Sequence, residues 1–249
     1  MSNYWVVYLE GSMFCWDIKS CQERYATHGY YMSSTIPKQW ATSFAQGGIF
    51  ATDGTSAWGT ANRVYIKYCT SDLWSGDAPA SDATFNFTFR GSRVPTAVVQ
   101  SLMQTQGLGK TPGARLLFGG CSAGAIGAMN NWERIAQLVE SKGVQTWGFL
   151  DGAGLLDIKP RGWTWSPLLE PLQSLMANMT SFTQPVFQPY CSTLFPGNEW
   201  KCKPSTRPVS LPTQQLKAAR LVVLASRFAR TVPHAGHHHR QVLCQCAAV

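Results

Sequence analysis

Apolar residues follow two patterns along the chain. Short runs rich in β-branched and aromatic side chains cover residues 5–9, 64–68, 114–118 and 144–150, and each run predicts a buried strand. Between the runs, apolar residues recur at helical spacing over 94–108 and 132–139. The alternation of strands with helices is typical of a parallel sheet. The pattern therefore predicts one α/β domain, with a mostly parallel sheet and helices on both of its faces.

The remaining segments carry weaker signals. Residues 160–212 are rich in Pro, Ser and Thr and predict long loops with one helix near 168–177. The apolar run 221–225 is flanked by arginines and is much shorter than the roughly 18 residues of a membrane span. The first residues, Met1-Ser2-Asn3, lead directly into the first apolar run. We therefore expect no membrane span and no signal peptide in this chain.

The net charge of +8 is distributed unevenly over the 249 residues. Residues 201–249 hold eight of the 21 Lys and Arg residues, so that 21 minus eight leaves thirteen in residues 1–200, where all thirteen Asp and Glu residues also lie. The body of the chain is thus neutral, and the excess charge is confined to the tail. A nucleic-acid-binding domain would present a basic face on its folded surface. We therefore expect no nucleic-acid partner.

The cysteine content indicates disulfides. Eight cysteines without a CxxC pair favour disulfide bonds over a metal site, and we expect no bound metal. Two pairs flank short segments that a disulfide can close, namely Cys15 with Cys21 and Cys191 with Cys202. The pairing of the other four stays open: Cys69, Cys121, Cys244 and Cys246. Two glycosylation sequons, at Asn86 and Asn178, also fit a secreted protein.

A Gly-x-Ser-x-Gly motif indicates a candidate nucleophile. It comprises Gly120, Ser122 and Gly124, and it lies between the predicted strand at 114–118 and a predicted helix start. In serine hydrolases this motif forms a sharp strand-to-helix turn that exposes the serine hydroxyl. Ser122 would then be the nucleophile, and the backbone N–H of Ala123 would stabilise the oxyanion. The alternative is an ordinary glycine-rich turn with a solvated serine.

Several ordered blocks accompany this motif. They are YLEG at 8–11 followed by Cys15 and Cys21, YCTSDLWSG at 68–76, FRG at 89–91, GCSAG at 120–124, LDGAG at 150–154 and NEWKC at 198–202. In this order and spacing, the chain resembles the pectin acetylesterase and Notum carboxylesterase family over residues 4–203. The resemblance implies an α/β-hydrolase-like fold, here truncated at both ends. Residues 204–249, a basic tail that lacks acidic residues, would lie outside the core of this domain.

The resemblance also implies a function. It predicts a secreted serine carboxylesterase that removes O-acyl groups from a polysaccharide or a protein, uses no cofactor and acts as a monomer. Ser122 would be the nucleophile, and the oxyanion hole would comprise Gly11, Ser12, Met13 and Ala123. The family's turn after the first strand normally reads Glu-Gly-Gly, and this chain has Ser12 at the second glycine. Ser12 would be strained if the turn requires positive φ there, whereas the replacement would have no effect if the φ of Ser12 is ordinary.

The acid and the base of a catalytic triad are not found in the sequence. The family places them after the matched blocks, but this chain has no Asp or Glu beyond Glu199. The histidines at 234 and 237–239 form a cluster that is typical of a solvated tail. The tail is either a genuine divergent segment or an artefact of the gene model, and without the family's last strands we expect an unpaired sheet edge. The chain is thus interpreted as an incomplete esterase or, alternatively, as an inactive relative that binds the substrate.

Overall fold

The computed structural model describes residues 2–35, 47–152, 172–199, 220–224 and 241–242. Its strands are β1 (Tyr4–Leu9), β2 (Asn62–Ile66), β3 (Arg115–Cys121), β4 (Gln145–Asp151), β5 (Arg220–Leu224) and β6 (Gln241–Val242). They form one sheet in the order β5-β4-β3-β1-β2-β6, and every pair of neighbours is parallel. The predicted parallel sheet is confirmed.

Helices connect the strands. They are α1 (Ile18–His28), α2 (Arg93–Ser101), α3 (Ala123–Glu140), α4 (Leu172–Thr183) and α5 (Pro189–Leu194). The predicted helix at 94–108 corresponds to α2 and a following π-helical turn at Leu102–Gln106, and the one at 132–139 is the second half of α3. The segment 160–212, predicted as loops with one helix, contains both α4 and α5 in its described part.

The two faces of the sheet are packed differently. Side chains of alternating positions point to opposite faces of a strand. On one face, residues such as Leu9 and Phe118 belong to a large apolar cluster that includes side chains of α1, α2, α3 and α4. On the other face, Val6 and Phe149 pack in a smaller cluster with Phe50, which lies in a short 3-10 helix. β1 and β3 are therefore covered on both faces, as their uninterrupted apolar sequences predicted.

The tail contributes to the sheet in the described residues. β5 pairs with β4 from Trp147 to Asp151, and β6 pairs with β2 at Arg63 and Val64. The unpaired sheet edge expected without the family's last strands is wrong at β4, because residues 220–224 supply a neighbouring strand there. The division of the chain into a domain at 4–203 and a tail at 204–249 stays a prediction. No helix in the described ranges is long and apolar enough to cross a membrane.

A short disulfide closes the segment between β1 and α1. Cys15 is bonded to Cys21, with the Cα atoms 4.9 Å apart. Cys69 and Cys191 are also disulfide-bonded, whereas Cys121 is a free thiol. Three cysteines considered in the sequence lie outside the described residues, namely Cys202, Cys244 and Cys246.

Candidate active site

Ser122 lies at the sharp turn between β3 and α3. Its φ of 55° and ψ of −122° belong to a backbone region that non-glycine residues rarely adopt and that occurs at nucleophile elbows. Two kinds of hydrogen bond hold it there: its N–H donates to the Asp151 carbonyl (2.8 Å), and its own carbonyl accepts from Ala125 and Ile126. The side chain is exposed and makes no capping hydrogen bond to α3. The hydroxyl is thus available at the C-terminal edge of the sheet.

Glycines allow this turn to pack directly against β1. A Cβ atom on Gly120 would lie 2.5 Å from the Leu9 carbonyl oxygen, and one on Gly124 would lie 2.9 Å from the Glu10 carbonyl oxygen. Both distances are too short for a real side chain. Both glycines of the motif are therefore required by the approach of α3 to the end of β1, which explains the motif in physical terms.

The predicted oxyanion turn contacts the elbow. A Cβ atom on Gly11 would collide with the Cys121 carbonyl and lie 3.2 Å from the Cβ of Ser122. Ser12 is not among the residues with positive φ, so the strain considered above does not arise. Met13 is 40% exposed. At the other side of the elbow, Ala123 is the first residue of α3, where backbone N–H groups have no helical acceptor. The assignment of these residues to an oxyanion hole stays a prediction.

Glu10 anchors the end of β1 below the turn. Its side chain is buried, and its carboxylate accepts from the Lys67 ammonium (2.9 Å) and from the backbone N–H of Tyr68 (2.8 Å). Its carbonyl accepts from the indole N–H of Trp74 at 3.2 Å. Because Glu10 directly precedes Gly11, these bonds fix where the turn begins. The sequence showed Glu10 only as part of a block, and its partners follow it by more than fifty residues.

Asp72 joins two further blocks. It is fully buried, and its carboxylate accepts from the backbone N–H groups of Trp74 (3.0 Å) and Gly91 (2.8 Å) and from the Thr70 hydroxyl (2.6 Å). The block at 68–76 is thus held to the block at 89–91. Trp74 itself has no exposed surface and packs against Gly127 of α3, so it is a core residue under the elbow and does not line a pocket.

A polar cluster lies beside the elbow, on the face of the sheet opposite to α3. It comprises Tyr8, Cys121 and Asp151. Burial, followed by the nearby Cys121 and the charge of Asp151, raises the pKa of Tyr8 well above its ordinary value. Burial and the charge of Asp151 likewise raise the pKa of the Cys121 thiol. Both groups therefore stay protonated at neutral pH, and Cys121 does not compete with Ser122 as a nucleophile.

The described residues supply no base next to Ser122 that we can assign. His28 is the only histidine within these ranges; it is exposed at the end of α1, and its Nδ1 lies 2.9 Å from the Thr27 hydroxyl. The histidines at 234 and 237–239 lie outside the described residues, as do Asp157 and Glu170. Within the same ranges, no group of three or more His, Cys, Asp or Glu residues could hold a metal ion.

Both glycosylation sequons fall on exposed asparagines. Asn86 lies in a loop with a positive φ of 61°, and Asn178 lies on α4. Glycosylation stays a prediction.

The chain is similar to known proteins in sequence and in structure. The palmitoleoyl-protein carboxylesterase Notum of Drosophila melanogaster is 32% identical over 209 residues, which cover 81% of this chain and 30% of that protein. The Notum carboxylesterase of Mus musculus is 36% identical over 163 residues, which cover 64% of this chain and 31% of that protein. A crystal structure of the Wnt deacylase Notum from Drosophila matches with a TM-score of 0.74 at 29% identity, covering 90% of this chain and 62% of the other.

The matched region covers only part of each relative. This chain spans about a third of the length of these curated relatives, as the 30% and 31% coverages state. The family model of the pectinacetylesterases matches residues 1–161, which is more than half of the chain and includes the turn at residues 11–13, the buried Asp72 network and the elbow at Ser122. The chain therefore belongs to the pectinacetylesterase family.

Proposed function

We propose that this chain carries the nucleophile and the oxyanion turn of a serine carboxylesterase that acts on O-acyl esters. The observation that carries the proposal is the conformation of Ser122: a strained, exposed serine at the start of a helix, in contact with the turn after β1. Backbone strain persists only where the surrounding structure holds a residue in place, and it is concentrated at functional sites. A solvated serine in an ordinary turn would have no reason to retain it.

The chemistry follows from these groups. The Ser122 hydroxyl oxygen attacks the ester carbonyl carbon while a base takes its proton, and the carbonyl oxygen becomes negatively charged. The N–H groups of Ala123 and of the 11–13 turn donate to that oxygen. The C–O bond to the alcohol then breaks, the alcohol leaves with the proton, and water hydrolyses the acyl-serine. The family membership supports this reaction class.

The substrate is proposed from the relatives. Their names state that they remove palmitoleoyl groups from proteins. We propose that the substrate of this chain is likewise an O-acylated protein, and that the chain acts outside the cell as a glycosylated monomer. An acetylated polysaccharide is the alternative substrate. Competition between p-nitrophenyl octanoate and p-nitrophenyl acetate for Ser122 distinguishes them, because a pocket for a fatty acyl chain favours octanoate and a shallow pocket favours acetate.

A second function is favoured by one observation. The described residues offer no assignable base for Ser122, and His28 is exposed and bonded to Thr27. A relative that has lost the triad acid and base would still hold an acyl ester at the elbow without cleaving it. We keep this inactive binding protein as the alternative function.

A fluorophosphonate probe separates the two functions. The probe reacts with a serine only if its hydroxyl is activated. We expect the 249-residue chain to be labelled on Ser122, as shown by peptide mass mapping, and Ser122→Ala to abolish the label. Ser141→Ala, which changes an exposed serine at the end of α3, is the matched control and should be labelled normally. Absence of label in the wild-type chain, or label that persists in Ser122→Ala, would contradict the esterase proposal.

A further inference from the structure

Arg24 contacts the oxyanion turn from α1. Its Nη2 donates to the Ser12 hydroxyl at 2.8 Å, and its Nε donates to the Ser71 hydroxyl at 2.6 Å. The guanidinium also lies over the ring of Tyr31, 4.9 Å from its centroid. The arginine is partly buried, and it takes part in none of the ion pairs formed among the described residues. Its charge is thus directed at hydroxyl groups and an aromatic ring.

Ser71 makes the contact rigid. It is fully buried, and its hydroxyl donates to the Tyr31 carbonyl at 2.8 Å while it accepts from Arg24. Its own carbonyl accepts from the backbone N–H of Cys15 at 3.1 Å. The Nε of Arg24 is therefore bound to a buried hydroxyl whose residue is held by two further hydrogen bonds, and this contact sets the direction of the other arm of the planar guanidinium.

Ser12 lies in the middle of an otherwise anchored segment. On one side, Gly11 touches the elbow at Cys121 and Ser122. On the other side, Cys15 is held by its disulfide to Cys21. The hydrogen bond from Arg24 reaches the segment between these two points. A glycine at position 12, as the family's usual turn has, would offer no hydroxyl to this donor.

We infer that Arg24 is a positioning residue for the proposed esterase site, which fixes the oxyanion turn through the Ser12 hydroxyl so that the N–H groups of the turn face the oxygen bound at Ser122. The expected effect of Arg24 on the reactivity of Ser122 rests on the proposed function, whereas its expected effect on the order of the turn does not. The serine at position 12 thus provides a side-chain anchor that a glycine would lack.

Three variants test this inference. Arg24→Gln removes the charge and the fork, and Arg24→Lys keeps the charge without the fork. Ser12→Ala removes the same hydrogen bond from the other end, together with the side-chain hydrogen bond between Ser12 and Tyr31. Lys19→Gln is the matched control, because Lys19 is an exposed cation on the same helix whose only described ion pair is the 4.0 Å contact with Glu23. If Arg24→Gln fails to fold, Ser12→Ala decides, since it leaves the buried contacts of Arg24 and Ser71 in place.

Two measurements are made on the 249-residue chain. Amide hydrogen exchange of the peptide that contains residues 11–13 reports the order of the turn, and saturation kinetics of fluorophosphonate labelling give kinact and KI for Ser122. We expect Arg24→Gln and Ser12→Ala each to speed amide exchange of this peptide about tenfold. Each should also lower kinact about tenfold with KI unchanged, because small displacements of catalytic groups lower the rate of reaction. Arg24→Lys should be intermediate and Lys19→Gln unchanged.

The double variant makes the test specific. If Arg24 acts through Ser12, adding Arg24→Gln to Ser12→Ala lowers kinact no further, whereas independent effects multiply. Amide exchange at residues 11–13 that is unchanged in both single variants overturns the inference. The inference is also overturned if the effects of the two substitutions on kinact multiply, or if kinact is unchanged in a variant whose exchange has become faster. If the wild-type chain is not labelled, the proposed function fails, and the exchange measurement alone decides whether Arg24 orders the turn.

Discussion

Substitution of Gly124 by alanine tests how closely the elbow and β1 must fit. A methyl group at this position would lie 2.7 Å from the carbonyl carbon of Leu9 and 2.9 Å from the carbonyl oxygen of Glu10, and it would be closer still to the Leu9 oxygen. Carbon atoms in ordinary contact are about 3.5–4.0 Å apart. The end of β1 and the start of α3 would therefore have to separate by about 1 Å.

This separation moves the oxyanion turn away from Ser122, because the turn begins directly after Glu10. Overpacking of this kind costs about 1–3 kcal/mol of unfolding free energy. A displacement of about 1 Å in a catalytic group can cost about 100-fold in rate. We expect Gly124→Ala to lower the urea midpoint and to slow fluorophosphonate labelling of Ser122 by about 10- to 100-fold.

A matched glycine provides the control for this experiment. Gly47 has a φ of −83°, and a Cβ atom there meets no atom within 4 Å. Gly47→Ala should leave labelling unchanged and stabilise the chain slightly, by about 0.4–1 kcal/mol, because it restricts the unfolded state. If Gly124→Ala is labelled at the wild-type rate, close packing of β1 against the elbow is not needed for reactivity, and the reasoning is refuted.

Three further predictions follow from the site. Asp72→Ala leaves the buried N–H groups of Trp74 and Gly91 without this acceptor and should lower the free energy of unfolding by about 3 kcal/mol or more. Urea denaturation measures this change, and an unchanged midpoint would contradict the role of Asp72. Because the pKa of Cys121 is raised, iodoacetamide should alkylate it at pH 8 more slowly than it alkylates a free cysteine, and the rate should increase as the pH rises. Alkylation at the rate of a free cysteine would show that burial does not raise the pKa of this thiol. Turnover of p-nitrophenyl acetate by the 249-residue chain separates the two proposed functions. An esterase shows a burst followed by turnover that Ser122→Ala abolishes, whereas the inactive binding relative, which has no triad base, is slower by about a millionfold.

The central strands are predictable from the sequence because a strand that is buried on both faces is apolar along its whole length. The runs at 5–9 and 144–150 are apolar on both faces, and the corresponding strands β1 and β4 begin and end within one residue of the predicted bounds. The apolar run at 221–225 has the same character, but it stands in a basic segment without the other blocks of the family. Its identity as strand β5 depends on pairing with β4, which local sequence does not state.

The nucleophile was predictable, but its surroundings were not. The small residues around Ser122 indicate an elbow in any chain that has a strand before them and a helix after them. The contacts of Arg24 with Ser12 and Ser71 join residues 12 and 47 positions apart, and each of these residues has an ordinary surface role in most proteins. Polar contacts over such distances follow from the fold, so sequence patterns cannot specify them.

The position of β1 at the centre of the sheet has a consequence for biosynthesis. β1 pairs with β2, 57 residues later in the register Trp5↔Asn62, and with β3, 111 residues later in the register Tyr4↔Arg115. Ribosomes add roughly 5–20 residues per second, so β1 waits roughly 5–20 s for its second neighbour. During this time β1 can pair only with β2, so its other edge stays unpaired, and sheets built from such distant pairings form slowly. The nascent chain is therefore exposed to aggregation until Cys121 has been synthesised and β3 is complete, which makes this interval the stage at which a chaperone has most effect on yield.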